Sequence, residues 1–577
     1  MTRRDDFVIG TLVLLLAIVV AAVALPGAVS PAATPAPSTG VASAPYREGI
    51  VGRPTSVSPL SARNQADRDL VALIFSGLVR LGPEGGFAPD LAATWTVVNE
   101  GRTWTFDLRE DATWHDGTPV TADDVVFTVE TLRNPGYTGP GAFSWQDVLT
   151  TAVDERTVRF ELETPLAGFL FALTQPIVPA HLLADVPVAL LADAPFAQAP
   201  VGSGPFALVS LDDRAAVLAP AAVVTPPDPD PGPGAGGSPV PSDALATTAP
   251  TRPSTRPLPS LPGIEIRFFD DAADLRAAYE AGQLDAATGL APGAARELDD
   301  LAGNRLLRYP GSRLTTVIFN LRPSQPAFRG APVRSALLQA IDRDAIVERV
   351  YAGLAARADG PIPPASWAFD VAAAAPVVPD PSAAAAGLAA AGWKRLDTGW
   401  ALADATEPLA FELLSPDEAS NATTFAVARE IATYWRALGL SVTHVGLPAS
   451  ELVGERLRTG EFSAAVIDVN IGLDPDLYPL LASTQATSRG LNLSGVQDPD
   501  LDTLLVAARE PGELDDRRAA YRALQTYLTE RQYLLPIAFR DLVVVARDRL
   551  EGPGIHQVAD PGDRYWDVLT WRLANGR

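Results

Sequence analysis

The chain of 577 residues contains no cysteine, a single methionine, four histidines and only one lysine, Lys394. Without cysteine, disulfides, thiolate metal sites, cysteine nucleophiles and a lipidated N-terminal Cys are all excluded. The histidines (His115, His181, His444 and His556) lie far apart, and none forms a ligand pair at helical spacing. A direct metal site is therefore not expected, and no cofactor is implied. Positive charge is also scarce. Lys and Arg total 45 against 69 Asp and Glu, a formal net charge of −24. Nucleic acid is excluded as a partner, because phosphate binding needs clustered Lys and Arg. There is no G-x-S-x-G elbow, no H-E-x-x-H and no glycine-rich phosphate loop with its lysine.

What is present is enough to fold. Hydrophobic residues make up 47% and charged residues 20%, an ordinary globular balance. Arg3 and Arg4 precede an apolar run from Phe7 to Leu25, broken only by Gly10 and Thr11. A basic flank before an apolar stretch is the export pattern. The run is close to the roughly 20 residues that span a bilayer, and Ala22-Val23-Ala24 offers a cleavage site. Residues 1–25 are thus either a signal peptide or a membrane anchor. Residues 26–45, rich in Pro, Ala, Ser and Thr, read as a disordered linker, and 220–262 as a disordered Pro-rich insertion.

The remainder mixes strands with helices. Trp104–Leu108 and Thr157–Leu162 alternate apolar and polar residues as half-buried strands do. Between them Thr121 caps an amphipathic helix that carries Asp123 and Asp124 in its first turn. Further on, Gly263–Phe269 reads as a strand, Asp274–Ala281 as a helix, Leu314–Asn320 as a strand and Pro332–Tyr351 as one helix. Leu409–Leu414, Thr423–Leu438 and Leu440–Val445 read as strand, helix and strand; Glu451–Thr459 and Phe462–Val469 repeat the alternation. The pattern predicts a mixed α/β architecture with open sheets.

Phe87-Ala88-Pro89-Asp90-Leu91-Ala92-Ala93-Thr94-Trp95, then Ala112-Thr113-Trp114-His115-Asp116-Gly117-Thr118-Pro119-Val120-Thr121-Ala122-Asp123-Asp124-Val125, resemble the signature segments of the family 5 extracellular solute-binding proteins, the dipeptide- and oligopeptide-binding group. Val201–Phe206, Phe319-Asn320, Val333–Leu337, Ala340–Arg343, Ala391–Trp393 and Asp474–Asp476 are similar to further segments in the family's order. The resemblance covers roughly 46–577. It implies a two-lobed, periplasmic-binding-protein-like fold of type II, cluster C-like, with an extra subdomain. The implied division is lobe I in 46–60, 200–219, 263–308 and 535–577, the extra subdomain in 61–199, and lobe II in 309–534.

The resemblance also implies a function: capture of peptides or a similar small solute between the lobes, for delivery to ABC permease subunits driven by separate ATPase subunits. The protein would be an exported monomer at the outer face of the cytoplasmic membrane, in the periplasm or in the cell wall, held to the membrane if residues 1–25 are retained. A membrane-anchored sensory receptor and an exported hydrolase are the alternatives.

Candidate ligand-binding residues follow. Asp474 and Asp476 are the leading pair, since in peptide-binding relatives a carboxylate in this region meets the ligand's α-ammonium group; Asp-Pro also simply starts turns. Val469, Asn470 and Ile471 replace the aromatic residues usual just upstream. Asn64, Gln65 and Asp67 fall where the family's first loop nears the cleft, or form an ordinary helix cap. Arg313 and Asn320 flank the expected crossing strand, and Trp367 is a candidate cleft wall. His115 reads as structural, and Gly202, Gly204 and Pro205 as backbone geometry.

Overall fold

The computed structural model describes residues 44–82, 86–141, 145, 147–221, 257–488 and 490–574. The export segment expected in 1–25, nearly all of the linker expected in 26–45, and 222–256 of the expected insertion lie outside these residues. Among the described residues no helix is long and apolar enough to cross a membrane.

Two sheets organise the chain, each built around its own core. The first runs, in spatial order, Asn304–Tyr309, Leu542–Arg547, Ala286–Thr288, Tyr46–Val51, Ile264–Phe269, Ala215–Pro220 and Phe206–Leu211. The second runs Ala355–Arg357, Leu534–Arg540, Arg313–Phe319, Ala464–Asn470, Ala410–Pro416 and Ser441–Leu447. The central strands of the second sheet, Arg313–Phe319 and Leu534–Arg540, are buried almost throughout. Leu534–Phe539 is apolar on both faces, as a strand covered on both sides should be; Arg313–Phe319 carries one buried threonine on each face, and both are hydrogen-bonded, Thr315 to Asp468 at 2.6 Å and Thr316 to the Leu535 carbonyl at 2.9 Å. Ala410–Pro416 and Ser441–Leu447 pair in parallel. A parallel pair needs a long crossover, and the helix Glu418–Leu438 supplies it.

A four-stranded antiparallel sheet (Ala92–Val98, Thr103–Leu108, Thr157–Leu162 and Val148–Ala152) forms the extra subdomain. Its aromatic packing, in which Phe160 meets Phe106 and Phe169, continues into the core of the seven-stranded sheet. The six-stranded sheet has a separate core centred on Trp435, Phe319 and Phe411. A smaller core around Leu275, Tyr279, Leu298 and Val545 also belongs to the seven-stranded sheet, with Leu354 of the six-stranded body packed into it. The separate cores of the two sheets make two lobes, with the subdomain fused to the first.

The chain passes between the two sheets twice. Asn304–Tyr309 leads through Pro310–Ser312 into Arg313–Phe319, and Leu534–Arg540 leads through Asp541 into Leu542–Arg547. The second passage therefore lies at Asp541. The boundary expected at 534/535 falls too early, because Leu534–Arg540 is paired to Arg313–Phe319. The helix Gln65–Ile74, expected within the subdomain, docks on the turn Pro561–Tyr565 of the first lobe, where Gly562 packs on Ala72.

The helix expected over 332–351 is two helices, Ala331–Gln339 and Arg343–Tyr351. Asp342 takes an extended backbone between them, and its carboxylate accepts the Ala345 N–H at 2.9 Å. Local capping by Asp competes with helix continuation. The helix expected from Thr423 does run on from that point, capped by Asn421, whose side chain accepts the Thr424 N–H at 3.1 Å; a short helical turn from Glu418 precedes it across a kink at Asn421.

The motif arginines prove to be braces. Arg334 donates to the carbonyls of Gln532, Phe328 and Arg329 at 2.7, 2.8 and 2.6 Å, and Arg343 pairs with Asp359 at 3.1 Å. In the first lobe Arg564 is fully buried between Glu48 and Asp69. It donates to Asp69 Oδ2 at 2.8 Å and to the Tyr565 hydroxyl at 2.7 Å. Burial pushes the Asp69 carboxyl up to about 6 despite the neighbouring guanidinium.

Candidate functional site

The eight residues singled out in the sequence separate into four places. Asn64 and Asp67 belong to a helix cap. The Asn64 side chain accepts the Asp67 N–H at 2.9 Å. The fully buried Asp67 carboxylate accepts the N–H groups of Thr55, Ser56, Arg63 and Asn64 at 2.6 to 3.2 Å, and the Thr55 hydroxyl. Those oxygens are saturated by the chain itself, which corrects the expectation that these two residues face a ligand. Asn320 is likewise internal. It is fully buried, and its amide donates to the carbonyls of Gly460 and Phe462 at 2.8 and 3.1 Å. It follows the strand whose other end is Arg313, about 20 Å away at the strand rise, so the two do not share one site.

Asp474, Asp476 and Trp367 come together around arginines that sequence reasoning missed. Arg517 Nη2 donates to both oxygens of Asp474 at 2.8 and 3.0 Å. The same guanidinium stacks 4.5 Å from the Trp367 ring centre and 5.9 Å from that of Tyr521. Arg509 lies 3.0 Å from Asp476 and 4.4 Å over the Tyr478 ring. Burial raises both carboxyls, and the paired arginine opposes the rise in each case. A signal for this arrangement existed: Arg517 and Tyr521 are four apart on the helix Leu514–Arg531, hence on one face.

This cluster is also where the second lobe meets the subdomain. The Ala167 N–H donates to the Arg509 carbonyl at 3.0 Å. A Cβ on Gly168 would stand 2.3 Å from an Asp474 carboxylate oxygen. A side chain there would have to displace that carboxylate or part the two bodies.

Gln65 and Arg313 line a cavity of about 180 Å³ at the two passages between the lobes. Its walls come from both. Arg313, Leu354 and Arg540 belong to the second lobe; Gln65, Gly289, Leu290, Val543, Val558 and Asp560 are among those from the first. The Gln65 amide is steered by a 3.0 Å bond to the Thr288 hydroxyl. At Gly311 the two passages nearly touch, since a Cβ there would lie 2.0 Å from the Arg540 carbonyl oxygen.

His115 is structural. Its N–H donates to the Gly202 carbonyl at 2.8 Å and its ring meets the Gly204 carbonyl at 3.1 Å. Trp114 beside it donates to Asp124 at 3.2 Å.

Two bodies, two connecting passages and a cavity walled by both define a two-lobed binding protein. The family model of bacterial extracellular solute-binding proteins, family 5, matches residues 86–490. The chain belongs to that family, and its role is that of the solute-binding component of an ABC importer. It is similar to the probable D,D-dipeptide-binding periplasmic protein DdpA of Escherichia coli, 28% identical over 292 residues, a match that spans only about half of each chain (49%). It is 23% identical to the oligopeptide-binding protein AppA of Bacillus subtilis over 91% of both chains. The AppA structure with a nonapeptide superposes with a TM-score of 0.70, covering 92% of this chain and all of that one. NikZ of Campylobacter jejuni, solved with Ni(L-His), gives a TM-score of 0.69 at 22% identity, covering 91% of this chain and 99% of that one.

Proposed function

We propose that the chain captures a peptide or similar small solute in the interlobe cleft, with Gln65 and Arg313 contacting it at the hinge. Asp474, Asp476 and Trp367 act at the rim where the subdomain meets the second lobe. The observation that carries this reading is the shared wall of the hinge cavity. A pocket lined by both lobes changes shape when one turns against the other, so a solute that fits the closed shape favours closure. Capture of this kind needs a desolvated cleft with a few fixed polar groups and no chemistry on the solute.

The Asp474 and Asp476 carboxylates are already neutralised by Arg517 and Arg509. A ligand ammonium group would have to compete with those arginines, which argues for a role as a closing latch over one as a bare ammonium receptor. The apolar N-terminal run directs export, and anchors the protein if it is retained; outside the cytoplasmic membrane the protein, a monomer, delivers its solute to permease subunits driven by separate ATPase subunits.

The test is mass spectrometry of the solute retained on purification, followed by small-angle scattering of the emptied protein with and without it. A smaller radius of gyration on adding the solute back is expected. An unchanged radius at saturating solute, or turnover of that solute into a product, sinks the reading.

A further inference from the structure

The hinge cavity holds an unusual balance of charge. Its two acids are occupied elsewhere: Asp541 accepts from Arg308 Nε at 2.9 Å, and Asp560 pairs with Arg68 at 3.2 Å. Its two arginines are not. Among the described residues neither Arg313 nor Arg540 has a hydrogen-bond or ion-pair partner, although both are partly buried. They are also forced together. Leu314 pairs with Phe539 in the antiparallel ladder, so one further step sets Arg313 opposite Arg540. Like charges across a strand pair are destabilising. Burial and the Arg540 charge both press the Arg313 guanidinium below its ordinary range. Asp468 and, less strongly, Asp560 offset this from a distance, while Arg68 adds to it; Asp468 already accepts from Thr315, Asn421 and Thr424 at 2.6, 3.0 and 2.9 Å.

We propose that Arg313 and Arg540 form an anion receptor at the pivot of the lobes, so that the imported solute carries a carboxylate or phosphate head bound between the two guanidiniums. This rests on the interlobe-capture reading and specifies the class of solute. Two guanidinium forks present paired N–H donors that match a planar or tetrahedral oxyanion, and charge-assisted bonds of this kind are the strong ones. An anion there also replaces the repulsion of the empty pair by two attractions. The volume of about 180 Å³ suits a head group of a few heavy atoms, the rest of the solute extending into the cleft. Gln65 on the opposite wall adds a neutral polar contact from the first lobe.

The test is calorimetric titration of the full chain with four probes: succinate, inorganic phosphate, trialanine and trialanine amide. It is repeated on Arg313→Gln and Arg540→Gln, with circular dichroism to show that each variant is folded. Saturable binding of at least one anionic probe is expected, weakened tenfold or more in either variant and falling with added salt. Binding of succinate or trialanine, with the amide at least tenfold weaker, assigns a carboxylate head; binding of phosphate alone assigns a phosphate head. Equal binding of trialanine and its amide, unchanged in both variants, overturns the anion receptor and leaves interlobe capture standing. Failure of all anionic probes at millimolar concentration also overturns it. In that case a neutral solute extracted from the purified protein sustains capture, and the absence of any extracted solute counts against both.

Discussion

Arg564 in the first lobe and the pair Arg313 and Arg540 in the second show how differently this molecule treats buried charge. Arg564 in the first lobe is closed in by Glu48, Asp69 and Tyr565. Arg313 and Arg540 in the second lobe sit at a cavity wall, brought side by side by the strand register, and among the described residues neither has a hydrogen-bond or ion-pair partner. A charge enclosed with its counter-ions serves cohesion, because removing one member strands the others in a low dielectric. A charge left incomplete at a cavity wall costs stability and is retained for something that comes from outside.

The contrast can be broken by mutation, and the largest effect is expected in the first lobe. Arg564→Met leaves Glu48 and Asp69 buried without their cation, at a cost of about 3–5 kcal/mol, read by denaturant unfolding. A loss well under 1 kcal/mol would remove the distinction between the two groups. Acidity comes next. Burial raises the Asp563 carboxyl from 3.8 to about 7. A carboxyl whose folded pKa is raised contributes stability that is present below the unfolded value and is lost as pH rises towards 7. Melting between pH 5 and pH 7 is therefore expected to weaken with pH by at most about 2–3 kcal/mol from this group. Asp563→Asn keeps an acceptor for the Ala559 and Asp560 N–H groups, and should flatten that slope; an identical slope in the variant would count against the assignment.

At the rim, Asp474→Asn removes the charge that holds Arg517, with an expected loss of about 1.5–3 kcal/mol in thermal unfolding. Gly168→Ala should cost solute affinity rather than stability. Its methyl group meets the Asp474 carboxylate and holds the lobes apart, so affinity should fall about tenfold, roughly 1.4 kcal/mol, with the melting temperature little changed. The smallest effect sharpens the comparison from the other side. Arg540→Leu should leave the stability of the empty protein within about 0.5 kcal/mol, or raise it, while abolishing binding of an anionic solute. A large destabilisation would place Arg540 with Arg564 among the braces.

Much of the architecture was legible in the sequence. Alternation in Trp104–Leu108 and Thr157–Leu162 reports strands with one buried face, and Leu314–Asn320 reads as the strand that crosses into the second lobe. Where the reading failed, a single polar residue had captured nearby backbone. Asp342 divides one expected helix into two, and Asn421 adds an unforeseen helical turn ahead of another, capping the expected helix while its amide reaches Asp468. The end of the second lobe was misplaced by six residues because a buried strand in either sheet reads alike.

The site was less legible. Of the residues named from the sequence, Gln65 and Arg313 line the hinge cavity, and Asp474, Asp476 and Trp367 meet at the rim. Asn64, Asp67 and Asn320 are spent on the backbone. Arg517 and Arg540 went unnoticed, because what distinguishes them is the company brought by distant segments: Asp474 and Trp367 for one, Arg313 for the other.

The passage through Pro310–Ser312 and the passage at Asp541 run side by side, with Gly311 seated on the Arg540 carbonyl. Such a joint acts as a fulcrum, and atoms beside a fulcrum travel least when the jaws swing. A head group lodged there can dock on the second-lobe wall while the cleft is still open, and gains its first-lobe contacts as the cavity takes its closed shape. The remainder of the guest is then swept in as the jaws shut, so what is caught depends first on the head and only afterwards on the tail.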